Sequence, residues 1–297
     1  MSQRSLPRGL IVGVDGSAQS DTALRWAARE AMLRRAALTL VHVLPLLPDW
    51  SHGYAMALLP YDSGRLQEEQ GRRVLAEATR IVGETTSGAG PLEIHKELMF
   101  SSPVPTLIDL SKDADMIVVG CRGHGAWGRA LLGSVSTGLV HHAHCPVAVI
   151  HDEPSPPDVA APVVVGIDGS PASELGTAIA FSEAAMRAVE LVALHSWADF
   201  SWPAYEGRTC WFDLRAEAGE ILAERLAGWT ERYPDVSVRR VVTPDEAARH
   251  LVQESESAQL LVLGSHGRGG FAGMMLGSVS SAVVHAAHTP VIVARRS

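Results

Sequence analysis

Several features that mark other classes of protein are scarce or missing in this sequence. Only three cysteines occur, without a C-x-x-C pair, so neither a disulfide framework nor a zinc site is indicated: Cys121, Cys145 and Cys210. The net charge is −8 and no basic run occurs, which argues against nucleic acid or an anionic membrane surface as a partner. Apolar runs stay well short of the roughly 20 residues of a membrane span. The first residues lack the apolar core of a signal peptide, so we expect a cytoplasmic protein.

What is present is a long internal repeat. Residues 118–150 and 262–294 are identical at 16 of 33 aligned positions. A chain of 297 residues has the length of about two domains, and 46% apolar composition allows each half a core of its own. The chain is therefore predicted to be a tandem duplication.

Each repeat carries glycines at the spacing Gly-x2-Gly-x9-Gly-Ser. The copies are Gly120, Gly123, Gly133 and Ser134 in the first half, and Gly264, Gly267, Gly277 and Ser278 in the second. A loop of this kind directs backbone N–H groups into one concavity that ends at a helix start, which favours an anion such as a phosphate chain. The alternative is that the glycines only permit a tight turn and a close helix approach.

Predicted strands alternate with predicted helices in both halves. The strands are predicted at 10–14, 38–43, 92–100, 116–120 and 147–150, and again at 163–167, 191–195, 236–242, 260–264 and 291–294. This order predicts a mostly parallel sheet with right-handed crossovers. Long loops are predicted at 45–64 and 196–213.

The domain boundary is predicted from proline. Residues 152–162 hold four prolines and no periodicity, so we place a linker at 152–161. The first domain then covers 1–151 and the second 162–297.

Asp15 and Asp168 follow the first strand of each half, two residues after Gly13 and Gly166. Ligands of open parallel sheets lie beyond the carboxyl ends of the strands, where a carboxylate can accept a hydrogen bond from an adenine amine or a ribose hydroxyl. Asp-Gly-Ser is also good turn chemistry, so a purely structural role stays open.

Two familiar phosphate motifs do not explain the loops. Gly123, Gly125 and Gly128 match the dinucleotide fingerprint, but they precede the last strand of their half instead of following the first. Neither copy has the Gly-Lys-Ser/Thr of a P-loop.

Other polar and aromatic groups have two readings each. Histidines near the ends of the last helices suit the helix dipole better than a metal: His141, His142, His144, His285 and His288. Charged loop residues either meet phosphate or are simply solvated: Arg122, His124, Arg129, His266 and Arg268. Aromatic residues of the long loops either shield a base or form a surface cluster: Trp50, Tyr54, Tyr61, Trp197, Trp202, Tyr205 and Trp211.

With these motifs the whole chain resembles the universal stress protein family, as two tandem domains of its ATP-binding type. The resemblance implies an α/β fold of two open-sheet domains, adenine nucleotide alpha hydrolase-like, each a five-stranded parallel sheet with helices on both faces. It also implies dimers, often through the last strand. The alternatives here are a homodimer and pairing of the two halves within one chain.

The resemblance implies one ATP, commonly with Mg²⁺, in each half. Asp15 and Asp168 would meet adenosine, and the backbone of Val43 and Ser196 would meet adenine. Ribose and phosphates would meet the glycine motifs and the residues after them: Ser134, Val135, Ser136, Ser278, Val279 and Ser280.

Three functions follow from these expectations. The first is a nucleotide-dependent regulator in stress adaptation. The second is a slow ATP hydrolase, because neither glycine loop has a lysine or an evident general base. The third is a dimeric interaction scaffold that needs no nucleotide.

Overall fold

The computed structural model describes residues 9–45, 63–123, 132–151, 158–197, 211–268 and 276–295. The first half contains, in chain order, β1 (Gly9–Gly13), α1 (Ala18–Arg34), β2 (Ala37–Leu44), α2 (Ser63–Thr85), β3 (Ile94–Phe100), α3 (Pro103–Leu110), β4 (Met116–Gly120), α4 (Ser134–His142) and β5 (Val147–Ile150). The second half repeats the order with β6 (Val163–Gly166), α5 (Pro171–Arg187), β7 (Leu191–Ser196), α6 (Trp211–Arg232), β8 (Val238–Thr243), α7 (Ala247–Ser255), β9 (Leu260–Gly264), α8 (Ser278–Ala286) and β10 (Val291–Ala294).

The helix after the first strand of each half is built by the same local signals. Ser17 caps α1 by accepting a hydrogen bond from Ser20 N, and Ser170 caps α5 by accepting one from Ser173 N. Both helices end in a left-handed residue, Arg35 at φ 52° and Ala188 at φ 53°. The duplication therefore extends to the helix ends, although neither closing residue is the glycine that this conformation favours.

The described strands form one ten-stranded sheet in the order β3-β2-β1-β4-β5-β10-β9-β6-β7-β8. Strands within each half are parallel, whereas β5 and β10 are antiparallel, with Ala148 opposite Ile292. The predicted α/β fold of two tandem five-stranded parallel sheets is confirmed. The two last strands pair with each other inside the chain, as one of the two predicted alternatives required.

Helices cover both faces of this sheet. One apolar core lies between the sheet and α1, α2, α5 and α6, and the other lies between the sheet and α3, α4, α7 and α8. Strands buried on both faces explain why the sequence shows continuous apolar runs instead of alternation. No helix in the described ranges combines the length and apolarity needed to cross a membrane.

The structure corrects several predicted boundaries. The loop predicted at 196–213 is wrong at both ends, because Ser196 closes β7 and α6 already begins at Trp211. The loop predicted at 45–64 is two residues too long, because α2 already begins at Ser63. Residues 46–62 and 198–210, with most of the loop aromatics, lie outside the described residues, as do 152–157 of the predicted linker.

Candidate functional site

In the first half, the carboxyl ends of β1, β2 and β4 open into a cavity of about 560 Å³. The strand order reverses here, because β1 is followed by β2 on one side and by β4 on the other. The structure brings together all nine residues predicted for this half, each of which lines the cavity: Gly13, Asp15, Val43, Gly120, Gly123, Gly133, Ser134, Val135 and Ser136. Side chains of α3, including Pro103 and Leu107, close its apolar wall.

The start of α4 opens into this cavity. Its N-cap is Gly133, and among the described residues no side chain caps the helix. Gly133 N donates to Cys121 O at 2.7 Å, which fixes the turn at the helix start. The next N–H groups belong to the first turn, whose donors have no partner within a helix. The helix start can therefore offer main-chain donors and its positive dipole end to an anion.

Two of the glycines are needed because other groups approach them closely. A Cβ at Gly120 would lie 2.8 Å from Gln19 O, so glycine lets β4 pack against the first turn of α1. A Cβ at Gly123 would lie 2.4 Å from the Asp15 carboxylate, so glycine lets the loop cross that side chain. These two glycines therefore have the packing role that the sequence left open, whether or not they also contact a ligand.

Asp15 holds the turn that it begins. Its Oδ1 accepts a hydrogen bond from Ser17 N at 2.9 Å, and its own N–H donates to Ser20 Oγ at 3.2 Å. The turn role that the sequence left open is therefore observed. The carboxylate lies at the cavity wall, where it can also accept a hydrogen bond from a bound molecule.

A buried histidine supports this turn, a role that was not expected from the sequence. His42 Nδ1 lies 2.6 Å from Val14 O, the carbonyl just before Asp15. Since a carbonyl only accepts, Nδ1 carries the proton. His195 makes the same contact with Ile167 O at 2.7 Å. The signal available in the sequence was the histidine at the same place near the end of the second strand in both halves.

Val43 lies where β2 extends past β1. β1 ends at Gly13, and just after it Val14 N donates a hydrogen bond to Val41 O of β2. Because alternate residues of a strand direct their backbone groups to the same side, those of Val43 point toward the space beyond β1. This is the cavity, so the backbone of Val43 is placed to meet the edge of a planar ring.

The side chain of Ser136 makes a hydrogen bond within the protein. Its side chain is 2% exposed, and its Oγ donates to Gly120 O at 2.7 Å. The hydroxyl proton thus joins α4 to the end of β4. For a bound anion, Ser136 has its main-chain N–H to offer. Ser134, two residues earlier, is exposed.

The second half repeats these contacts. Gly277 caps α8 without a side-chain bond from the described residues, and Gly277 N donates to Ser265 O at 2.7 Å. Asp168 Oδ1 accepts from Ser170 N at 2.9 Å, and its Oδ2 accepts from Arg268 N at 3.2 Å. The remaining residues predicted for this half lie at the equivalent positions: Gly166, Ser196, Gly264, Gly267, Ser278, Val279 and Ser280. Among them, Ser280 Oγ donates to Gly264 O at 2.6 Å, as Ser136 does to Gly120 O.

The arginines and histidines singled out in the sequence lie at two places in the described structure. Arg122 lines the first cavity, and its equivalent His266 lies at 3.0 Å from Ser265 Oγ through Nδ1. His124 and Arg129 lie outside the described residues. His141 and His142 occupy the last turn of α4, at the end opposite the cavity. Within the described ranges, no group of three or more metal-ligating side chains is placed to hold a metal ion.

Fold and site together define a class: a duplicated open α/β protein in which each half presents an uncapped helix start at the carboxyl edge of its sheet. Comparison with known proteins gives the family. The model of the universal stress protein family matches residues 8–151 and 161–295. The chain belongs to the universal stress protein family.

Relatives match over the whole chain. One universal stress protein of Mycobacterium tuberculosis is 52% identical over 303 residues, covering 100% of this chain and 99% of its own. Another from Mycolicibacterium smegmatis is 49% identical over 297 residues, covering 99% of each. The crystal structure of a universal stress protein from Archaeoglobus fulgidus has a TM-score of 0.71 at 19% identity, covering 97% of this chain and 98% of its own. At that identity, the match shows the fold alone.

Proposed function

We propose that this protein is a nucleotide-dependent regulator in stress adaptation that binds one ATP in each half. The observation that carries the proposal is the first-half cavity. There, the uncapped start of α4 and Val43 at the end of β2 line one cavity of about 560 Å³. That volume lies within the range of small-molecule and cofactor pockets.

In this arrangement the phosphates lie at the start of α4, on the N–H groups of Ser134, Val135 and Ser136. The adenine ring lies against the backbone of Val43, with Leu107 on the apolar wall. Asp15, which lines the cavity, accepts a hydrogen bond from adenosine. Mg²⁺ enters with the nucleotide, because this ion is commonly held by phosphates and water with few protein ligands.

The second half is proposed to bind ATP in the same way, with Ser278, Val279 and Ser280 at the phosphates and Ser196 at the base. Support comes from the repeated hydrogen bonds of the turn at Asp168 and of the α8 start. The polar side chain of Ser196 replaces the apolar Val43. The backbone contact survives that change, whereas the packing of the base changes.

Hydrolysis is proposed to be slow at most. Phosphoryl transfer needs a positioned nucleophile and neutralisation of the developing charge. Among the described residues that line the first cavity, Arg122 is the cation and Asp15 the carboxylate, and Asp15 already accepts a hydrogen bond from Ser17 N. These groups suit binding better than turnover. The intact glycine motif in both halves argues against the scaffold alternative, because a scaffold has no need of it.

The test is the nucleotide content of the protein purified without added nucleotide. Heat-denatured protein should release adenine nucleotide approaching two molecules per chain, and calorimetry of the emptied protein should show ATP binding. If neither release nor binding is found, the interaction scaffold that needs no nucleotide becomes the preferred function. A turnover assay with Mg²⁺ separates regulator from hydrolase, and several turnovers per second would reject the regulator.

A further inference from the structure

Arg295 of the second half holds a helix of the first half. It follows β10 directly, and its side chain reaches the last turn of α4. Nη1 donates to Val140 O at 2.7 Å, and Nε donates to Ala143 O at 3.0 Å. The carbonyl groups at a helix end have no partner within the helix. Arg295 therefore caps α4 with a permanent positive charge supplied by the other domain.

His151 makes the reciprocal contact. It follows β5 directly, and its Nε2 lies 2.9 Å from Val284 O in α8, 133 residues away in sequence. Nε2 is the donor, because the carbonyl only accepts. Val140 and Val284 are equivalent residues of the repeat, as are His151 and Arg295. Each half thus donates a side chain to the end of the other half's last helix.

These helices are the ones that begin at the proposed phosphate sites. Each has 9 residues, so about 13 Å separates the phosphate end from the capped end. A side chain at the far end can therefore influence the site in two ways. It fixes the helix relative to the glycine loop, and its charge complements the dipole whose positive end faces the anion.

The same segments also hold the glycine loops. Cys121 N, at the start of the first loop, donates to Ile150 O at 2.8 Å, and Ile150 precedes His151. Ser265 N, at the start of the second loop, donates to Ala294 O at 3.1 Å, and Ala294 precedes Arg295. A continuous chain of contacts thus runs from each loop, through the last strand of its own half, to the last helix of the other half.

We infer that Arg295 and His151 are positioning residues that couple the two nucleotide sites: Arg295 strengthens the first-half site through α4, and His151 strengthens the second-half site through α8. The inference rests on the proposed function and adds its regulation. Arg295 makes two hydrogen bonds to the end of α4 and carries a permanent charge.

The test requires chains in which a single site binds. Ser278→Glu places a carboxylate at the exposed start of α8, which suits the helix dipole but repels phosphate, so the first-half site remains. Ser134→Glu leaves the second-half site in the same way. Arg295→Ala and His151→Ala are then combined with each of these changes. Calorimetry with ATP and Mg²⁺ gives the affinity, and thermal unfolding monitors the fold.

Each cap variant should weaken only the nucleotide site of the other half. Arg295→Ala weakens ATP binding to the first-half site by about two- to fivefold, the range of helix-end charge effects, and leaves the second-half site unchanged. His151→Ala weakens the second-half site and leaves the first unchanged. Arg295→Lys, which keeps the charge, recovers part of the loss. Arg249→Ala removes an exposed cation of the second half that pairs with Glu246, and it should change neither affinity.

Two outcomes overturn the coupling while leaving the proposed function intact. One is that neither cap variant changes an affinity, and the other is that each weakens both sites equally, as general destabilisation would. Should Arg295→Ala melt below the assay temperature, Arg295→Lys provides the same comparison with a smaller loss. Failure of the unmodified protein to bind ATP rejects the proposed function, and the coupling with it.

Discussion

Arg187 of α5 donates a hydrogen bond to Glu30 of α1, with Nη2 2.5 Å from Oε2, so a cation of the second half meets a carboxylate of the first. The equivalent pair of Arg34 and Glu183 completes the group, and each arginine also contacts the glutamate of its own helix. Glu30 and Glu183 are 1% and 0% exposed. Removing one partner of such a buried group leaves an uncompensated charge, so these four residues hold α1 against α5.

This buried cluster predicts a dependence of stability on pH. Burial and the neighbouring Glu30 carboxylate raise the pKa of Glu183 to about 7 from an ordinary value of 4.5. Between these two values the folded chain keeps a proton that the unfolded chain has lost. The free energy of unfolding should therefore fall by about 1–3 kcal/mol as the pH rises from 4.5 to 7.

Denaturant unfolding at several pH values checks this expectation. Glu183→Gln is the matched control, because it removes the titration and should flatten the dependence between pH 4.5 and 7. Burial opposes ionisation of Glu30, but Arg187 and Arg34 outweigh it and lower the pKa of that carboxyl. The stabilisation that ionised Glu30 provides is lost only below pH 4.5. Equal slopes in the unmodified and Glu183→Gln proteins would exclude the assignment to Glu183.

The close approach at Gly120 predicts a loss of stability on substitution. In Gly120→Ala the added Cβ meets Gln19 O at 2.8 Å, and a backbone atom cannot move aside cheaply. We expect a loss of about 1–3 kcal/mol in unfolding free energy, together with weaker ATP binding at the first-half site.

Gly83→Ala is the control for Gly120→Ala. Gly83 lies in α2 with nothing within 4 Å of an added Cβ, so alanine there should stabilise by about 0.5–1 kcal/mol. Chemical denaturation and calorimetry measure both variants. If Gly120→Ala were as stable as the unmodified protein, the observed packing would not require glycine.

Asp168→Asn should release the second glycine loop. Asp168 accepts from Ser170 N with one oxygen and from Arg268 N with the other. In either orientation, the asparagine amide turns a donor toward one of these donors. We expect a loss of about 1–2 kcal/mol in stability and weaker ATP binding at the second-half site.

Asp158→Asn provides the comparison for Asp168→Asn. Asp158 is exposed, and its Oδ1 accepts a bond from Ala160 N in a similar turn without a site beside it. Its stability should stay within about 0.5 kcal/mol of the unmodified protein. If Asp168→Asn kept both stability and affinity, the second carboxylate oxygen would have no role.

Ser134 and Ser136 should respond oppositely to alanine. Ser136→Ala removes the buried hydrogen bond to Gly120 O and should cost about 1 kcal/mol of stability. Ser134→Ala affects an exposed side chain, so stability should change by less than about 0.5 kcal/mol. ATP affinity should fall, because we expect the Ser134 hydroxyl group also to donate a hydrogen bond to a phosphate. Thermal unfolding and calorimetry separate the two effects. If Ser134→Ala lost stability and Ser136→Ala did not, the roles given to the two hydroxyl groups would be wrong.

Much of the fold followed from local patterns. Apolar runs, a proline-rich boundary and the repeated glycine spacing were enough to predict the strand and helix order of both halves and the glycines that line the first cavity. Val43, Val135 and Ser136 were expected only from the family resemblance. These patterns depend on the conformational limits of a few neighbouring residues, which are present in the chain before it folds. The long loops were harder, and the start of α6 at Trp211 was missed because aromatic and polar residues there obscure the helical period.

The contacts that join the halves could not be predicted in this way. Arg187 and Glu30 are 157 residues apart, and Arg295 and Val140 are 155 apart, so no spacing in the chain marks them as partners. Nor did the sequence decide whether the hydroxyl of Ser136 faces a phosphate or Gly120 O. The sequence by itself determined the two copies and their site edges. Only the tertiary structure decided which charges meet across β5 and β10, because antiparallel pairing of those strands brings distant side chains to one interface.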